Sequence, residues 1–463
     1  MTVTHRWLAL STLGLFFFMV IVDGSIVTIA VPAMAAGLHV PTSQINLVIA
    51  IYLVGISGLL LTFGQLGDQL GRIRLFKWGT LLFTIGSALA SLGISLPLVL
   101  GGRLVQAIGA SMTMANSYAI VTDIFPMAFL GRALGVESIF ISLGALAGPG
   151  LGGLILAYLS WHAIFWINIP LGLFCLIVAW RVFPASSAPA QTPTIDWPGT
   201  LWLITAAASF YVFTSTLLTQ AVITLLSLGL FTVALVQFSQ VERRAVKPLL
   251  DFAIFRHPPF SRSLLASFMS FIAAYFFTLL APIYLQVVLH TSSQLTGLIL
   301  MIAPAIALVA NPIAGWLTDR YPQVRVMQWG MVLLVLAEIG LVLSNGQHEP
   351  WVLGGLSILI SIGTAVFSTP SNTLIMSSVP AEQRGMAGAT NSLTREFGMV
   401  LGTTLATTTY YGSLSMLAGR AALTVTGQVP QHLLHAQSVA YLAATILLVI
   451  GLWLIRSRKV MTA

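Results

Sequence analysis

The sequence predicts an all-α polytopic membrane protein, and three observations predict it: composition, apolar runs of bilayer length, and basic residues confined to alternate loops. Of 463 residues, 57% are hydrophobic and 7% charged, with a mean hydropathy of +0.96. A soluble domain carries about 25% charged residues, so a water-soluble globule is excluded. A helix of about 20 apolar residues crosses roughly 30 Å of hydrocarbon. Fourteen such stretches follow one another along the chain.

The first, Trp7 to Ala30, is too long for the core of a signal peptide and contains Asp23, so it reads as a retained helix. Ile45 to Gly67, Leu75 to Ser95 and Pro97 to Val121 follow, then the glycine-rich run Ala133 to Tyr158. Ala163 to Phe183 holds Cys175, the only cysteine, so no intrachain disulfide and no thiolate metal site is expected. Pro198 to Leu217 and Ala221 to Phe238 lie between a Pro/Ser/Ala-rich stretch, Pro184 to Pro198, and a basic loop, Val241 to His257. Ser263 to Val288, Leu295 to Thr318, Met327 to Ser344, Trp351 to Ser377, Ala387 to Tyr411 and Leu434 to Ile455 complete the set. Histidines 39, 162, 290, 348, 432 and 435 fall near span ends and fit no metal motif.

The formal net charge is +8. Its placement matters more than its size. Arg6, Arg72, Arg74, Lys77, Arg132, Arg181, Arg243, Arg244, Lys247, Arg256, Arg262, Arg320, Arg325, Arg384, Arg456, Arg458 and Lys459 fall in terminal segments or even-numbered loops. The odd-numbered loops hold almost only Arg420. Such alternation is the positive-inside pattern and places both termini in the cytoplasm. Dispersal over short loops argues against nucleic-acid binding.

Internal repetition sets the domain plan. Gly64-Gln-Leu-Gly-Asp68 and Gly315-Trp-Leu-Thr-Asp319 end the second and tenth spans, an offset of 315 − 64 = 251. Gly144 and Gly148 correspond to Gly398 and Gly402, an offset of 398 − 144 = 254. The expectation is an N-terminal six-helix bundle over 1–183, a linker with two inserted helices over 184–259, and a C-terminal six-helix bundle over 260–463. Parallel repeats related by an axis along the membrane normal are one plan by which membrane proteins form a path between two halves.

Five motifs in chain order carry a resemblance. Val22-Asp23-Gly-Ser-Ile-Val-Thr28-Ile-Ala-Val-Pro32 lies in the first span, and Gly64-Gln-Leu-Gly-Asp68-Gln-Leu-Gly71-Arg72-Ile-Arg74 closes the second. Arg103-Leu-Val-Gln106-Ala107-Ile-Gly109, the run Gly144 to Gly153, and Ser160-Trp161-His-Ala-Ile-Phe165-Trp-Ile-Asn168-Ile-Pro170 follow. Together they resemble the major facilitator superfamily, and within it the fourteen-helix drug:proton antiporters. Thr28 and Ala107 depart from the residues usual there, Asn and Gly. The resemblance implies multidrug efflux powered by the proton gradient, with no cofactor, by a functional monomer in the bacterial cytoplasmic membrane. Its partners would be drugs or toxic compounds, protons and the lipid bilayer, with no nucleic acid, no metal and no catalytic residues.

Intramembrane charges are rare and usually paired or functional. Asp23 and Arg103 lie at matching depths, about 9 to 10 Å from the outer ends of their spans at 1.5 Å per residue. They form either a structural ion pair or a proton-exchange site with Arg103 responding to the charge of Asp23. The resemblance implies a gating latch at Gly64, Asp68, Gly71 and Arg72, with Arg74 and Lys77 as weaker members, and a hinge at Gly144, Gly148, Pro149, Gly152 and Gly153. Helical spacing puts Glu137 on the side of Gly144, Gly148 and Gly152, as a second proton-linked group or as an interfacial residue. Gln106, Glu338 and Glu396 are candidates for a substrate cavity or for local packing. Adjacent residues on a helix do not face each other, so Arg395 is not expected to neutralise Glu396. No phosphate-binding Gly-x-x-x-x-Gly-Lys-Ser/Thr loop occurs, which disfavours ATP-driven export. A dedicated exporter or flippase of one metabolite or lipid, and a membrane-embedded lipid-modifying enzyme, are the rival classes.

Overall fold

The computed structural model describes residues 3–184, 194–344, 349–419 and 429–456. Linker residues 185–193, His348, Arg420, Arg458 and Lys459 lie outside the described residues. Among the described residues there are fifteen α-helices and no β-strand. In order these are α1 (Val3–Leu38), α2 (Thr42–Leu70), α3 (Arg72–Leu92), α4 (Leu96–Ile124), α5 (Leu130–Tyr158), α6 (Ala163–Trp166), α7 (Asn168–Val182), α8 (Trp197–Thr216), α9 (Ala221–Glu242), α10 (Pro258–Ile283), α11 (Ser293–Arg320), α12 (Gln323–Leu343), α13 (Pro350–Ser377), α14 (Arg384–Ala418) and α15 (Pro430–Ile455). Twelve spans are long and apolar enough to cross a membrane, with α6 and α7 counted as one. The chain is thus a multi-pass membrane protein. Helices α8 and α14 occupy the seventh and thirteenth expected positions, but their Ser and Thr content leaves them below the hydropathy of those twelve.

Local chemistry explains most boundaries. Prolines open α4, α10, α13 and α15, where a missing N–H costs nothing. Gly93 ends α3 in the left-handed region at φ 61°, and the Ser292 side chain accepts from Leu295 N to cap α11. Three expected boundaries are corrected. The first helix continues past Ala30 to Leu38, because Val31 to Leu38 is apolar and buries Met34 in the core. The sixth span is broken at Ile167 into α6 and α7. The ninth ends in one π-helical turn, Tyr284–Val288.

The helices form two compact units. Unit 1 comprises 1–211, 226–253 and 379–393; unit 2 comprises 212–225, 254–378 and 394–463. In unit 1, α3 and α4 meet through glycines on both sides. A Cβ on Gly79 or Gly109 would strike the facing backbone, and so would one on Gly86 or Gly102. Small residues permit this approach, and in a membrane close packing replaces the hydrophobic drive for helix association. Unit 2 repeats the arrangement: Gly330 of α12 lies on the backbone of Phe367, and Gly363 of α13 faces Gly330 O. These positions stand at offsets of 330 − 79 = 251 and 363 − 109 = 254, the same two offsets as the sequence repeats. Likewise α5 packs on α1 through Gly144 and Gly148, and α14 packs on α10 through Gly398 and Gly402.

Overpacking a tight contact costs about 1 to 3 kcal/mol. Gly109→Ala should therefore lower the thermal stability of the purified protein, whereas Gly101→Ala, whose Cβ meets nothing within 4 Å, should not. Equal melting of the two variants would remove the packing role given to Gly109.

Candidate functional site

The most polar point inside unit 1 is built on Asp23. Its carboxylate is 1% exposed and meets Arg103, also 1% exposed, through Arg103 Nη1 donating to Asp23 Oδ2 at 2.5 Å. An isolated buried charge costs several kcal/mol, and an ion pair offsets this only when the remaining polar atoms are bonded as well. Here they are. Asn168 Nδ2 donates to Asp23 Oδ1 at 2.8 Å and Gln106 Nε2 to the same oxygen at 3.3 Å. Arg103 also donates to Gln106 Oε1 at 2.9 Å and to Val48 O at 3.2 Å. Gln106 Nε2 donates to Ser87 Oγ at 2.6 Å. The guanidinium lies 3.9 Å from the ring centre of Tyr52 and 5.7 Å from that of Phe165, a cation–π arrangement that steadies a desolvated cation. Six helices, α1, α2, α3, α4, α6 and α7, thus converge on one carboxylate. The break at Ile167 puts Asn168 at the start of α7, with Pro170 inside its first turn where no backbone donor is missed.

A second polar cluster sits at the C-terminal end of α2. Gly71 joins α2 to α3 at φ 97°, a conformation side-chain-bearing residues rarely adopt. The turn brings Arg72 back onto Asp68, with Nε and Nη2 donating to Asp68 Oδ1 at 2.9 and 2.6 Å. Asp68 also accepts from the backbone of Gly385 at 3.1 Å and Met386 at 3.2 Å, so a carboxylate caps the first turn of α14. Arg72 extends the cluster to Asp123 Oδ2 and to Ala381 O, each at 2.5 Å. Arg384 donates to Asp123 at 3.2 Å. Gly64 and Gly385 face each other, which lets the α14 backbone reach Asp68.

The fifth-helix glycines divide. Gly144 and Gly148 lie against Ile21 and Ser25 of α1, and Gly152 against Ile26 and Ile29. Gly153 looks into open space. The α5 helix runs through Pro149 without interruption. Glu137, buried to 1% exposure, accepts from Ser117 Oγ of α4 at 2.5 Å. Its backbone shares the glycine side, but the long side chain reaches α4 instead of α1.

A sequence pattern for the Major Facilitator Superfamily matches residues 13–403. The chain belongs to this superfamily. Among its relatives, riboflavin transporter RibZ of Clostridioides difficile is 29% identical over 414 residues, covering 89% of this chain and 90% of RibZ. Multidrug resistance protein Stp of Mycobacterium tuberculosis is 30% identical over 407 residues, covering 85% of this chain and 74% of Stp. Human organic anion transporter MFSD10 (TETRAN) matches with a TM-score of 0.65 at 16% identity over 98% of both chains, which shows the fold. This superfamily member is a transporter and not an enzyme.

Its three expected cavity residues are placed as follows. Gln106 is fully buried in the Asp23 network of unit 1. Glu396 of unit 2 is paired after all, accepting from Arg395 Nη2 at 3.3 Å. Adjacent Cβ atoms diverge on a helix, but an arginine is long enough to curl back. Glu338, also of unit 2, is 2% exposed. Lys77 lies 5.1 Å from the Trp180 ring centre, away from Asp68. Asn168, Ser87 and Asp123 were missed as site residues. For Asn168 and Asp123 the available signal was a polar residue in an otherwise apolar run or at its end.

Removing one partner of a buried pair costs about 3 to 5 kcal/mol, because the other charge is left unpaired. Arg103→Met should lower the melting temperature strongly, and adding Asp23→Asn should restore most of the loss. Equal stability of the single and double variants would mean that no unpaired carboxylate charge is buried there.

Proposed function

We propose that the protein is a proton-coupled antiporter of the bacterial cytoplasmic membrane, exporting hydrophobic or cationic drugs and toxic compounds by alternating access. The reading includes fourteen spans, both termini in the cytoplasm, and a functional monomer. The observation that carries it is the Asp23–Arg103 pair, buried among Gln106, Asn168 and Ser87. Asp23 is the proton-accepting group. A proton arriving on its carboxylate abolishes half of the ion pair and leaves Arg103 with Gln106 Oε1, Val48 O and the Tyr52 ring as its remaining contacts. The α1, α4 and α7 backbones then lose their strongest mutual restraint. Gly144, Gly148 and Gly152 form the smooth face along which α5 shifts against α1, with Pro149 and Gly153 lending it flexibility, and Glu137 on Ser117 is a second proton-linked contact on α5. The Asp68, Arg72, Asp123 and Arg384 cluster is the latch that must open when the cytoplasmic side does.

The energy source suffices for export. One charge moving through 100 mV is worth about 2.3 kcal/mol, and a tenfold ratio about 1.4 kcal/mol. One proton exchanged for one neutral molecule can therefore hold about a fifty-fold concentration ratio on voltage alone. Multidrug resistance protein Stp and multidrug efflux pump LfrA of Mycolicibacterium smegmatis, 27% identical over 433 residues, favour a broad substrate range. A second reading, transport of one metabolite, is favoured by the similarity to a riboflavin transporter over 89% of this chain.

Proteoliposomes with an imposed pH gradient discriminate between them. Adding ethidium should release protons through the wild type, and Asp23→Asn should abolish this at unchanged expression and folding. Proton movement with riboflavin and none with ethidium or other drugs would replace the first reading by the second.

A further inference from the structure

Unit 2 contains a carboxyl group for which the pairing just described supplies no role. Glu338 lies five residues before the end of α12, about 8 Å along the helix at 1.5 Å per residue. It is 2% exposed, and its Oε2 is buried with no hydrogen-bond partner. One tyrosine stands beside it. Tyr441 of α15 is within electrostatic reach of Glu338, of Tyr284 at the start of the π turn and of Tyr410 of α14, and Gln437 lies beside its hydroxyl. The hydroxyl oxygens of Tyr441 and Tyr410 are themselves buried without hydrogen-bond partners.

The surroundings supply no counter-ion. Helix α13, which packs along α12, has no titratable residue anywhere in its length. On α12 the only other charge, Arg325, is in its first turn. The charges of α11, Asp319 and Arg320, end that helix, and Arg395 and Glu396 of α14 pair with each other. On α15, His432 and His435 lie in the first two turns and Arg456 beyond the last. No salt bridge to Glu338 is present among the described residues. A bare carboxylate at such a place is several kcal/mol less favourable than the neutral acid, so the packing accommodates the protonated form. When the proton leaves, the Tyr441 hydroxyl is at hand to turn onto the anion. A carboxyl with that pair of states is organised to load and unload a proton.

We propose that Glu338, with the Tyr441 hydroxyl as its alternate partner, is a second proton-binding site, within unit 2 and separate from Asp23. This rests on the antiport reading above and deepens it: two protons exchanged per cycle make export of a monovalent cation responsive to the membrane potential, which one proton does not.

The test measures protons moved per substrate, and the response to imposed voltage, in proteoliposomes carrying whichever of ethidium and riboflavin the wild type transports. Two protons per molecule are expected for the wild type and one for Glu338→Gln, with export driven by a pH gradient retained. With ethidium, Glu338→Gln should also lose its voltage response. An unchanged count in Glu338→Gln overturns the second site. If Asp23→Asn leaves the count unchanged as well, it is the antiport reading that fails. Where Glu338→Gln does not fold, Tyr441→Phe keeps the ring volume and removes the hydroxyl donor. The anion is then less stabilised, and the pH of half-maximal coupling should rise by about one unit. An unmoved pH profile in that variant also overturns the proposal.

Discussion

The Asp23–Arg103 pair is the constraint around which unit 1 is arranged. A carboxylate and a guanidinium, each 1% exposed, can stand in an apolar bundle only if nearly all their bonding capacity is met inside it. Meeting it requires backbone from α2, a hydroxyl from α3, an amide from α4, an amide from the first residue of α7 and aromatic faces from α2 and α6. The close α3–α4 approach through Gly86 and Gly102 follows from this demand, because Ser87 and Gln106 sit beside those glycines and must reach each other. The broken sixth span follows too, since a continuous helix would not start a turn at Asn168. Packing and polarity are here one problem, and a proton is the smallest agent that changes both.

The Asp68 motif performs two tasks with alternate residues. Asp68 and Arg72 face the start of α14. Gln65 and Gln69, one helical turn apart, hold the segments that flank α8 and α9. Gln65 Nε2 donates to Lys247 O at 2.7 Å and Pro248 O at 2.9 Å, and Gln69 exchanges two hydrogen bonds with the Thr194 backbone at 3.0 and 3.3 Å. The same stripe continues along α2 through Thr62, bonded to Thr200 at 2.9 Å, and Gly58, which lies on Ile204 of α8. Glu242 at the end of α9 accepts from Leu250 N at 3.0 Å and folds the basic loop back on itself. Helix α8 and the loop after α9 are therefore anchored to the helix that carries Asp68. Any movement of α2 also moves α8 and that loop.

Much of this was legible in the sequence, and for identifiable reasons. Bilayer-length hydropathy gave the helices, because every span must satisfy its own backbone in lipid. Depth along two antiparallel spans matched Asp23 to Arg103, because two isolated opposite charges in hydrocarbon have few alternatives. Residue spacing also gave the glycine face of α5. What was missed depends on side-chain reach and on neighbours distant in the chain. Gln106 belongs to the ion pair because α3 presents Ser87 opposite it. Arg395 reaches Glu396 through a flexible stem that backbone spacing does not describe. Glu137 finds Ser117 on α4 although its Cβ follows the glycines. Asp123 joins the Asp68–Arg72 cluster from the end of α4, where in sequence it is one more charge near a loop.

Asp23 and Glu338 are buried by different physical means, and on the proposals above the difference has a consequence for charge transport. Asp23 faces a fixed cation, so a proton bound there breaks an ion pair and leaves the surroundings with a positive charge. Glu338 has no salt bridge among the described residues, so loss of a proton there leaves the surroundings with a negative charge. On that reading one group has its charge balanced when empty and the other when loaded. The two units repeat the same glycine contacts at the same offsets, but not the same polar core. Gln106 and Arg103 stand at positions whose partners at the 254 offset are Ile360 and Ser357, neither of which carries charge. These buried positions differ while the helix contacts are kept, and on the proposals above that difference gives one scaffold two unlike proton sites.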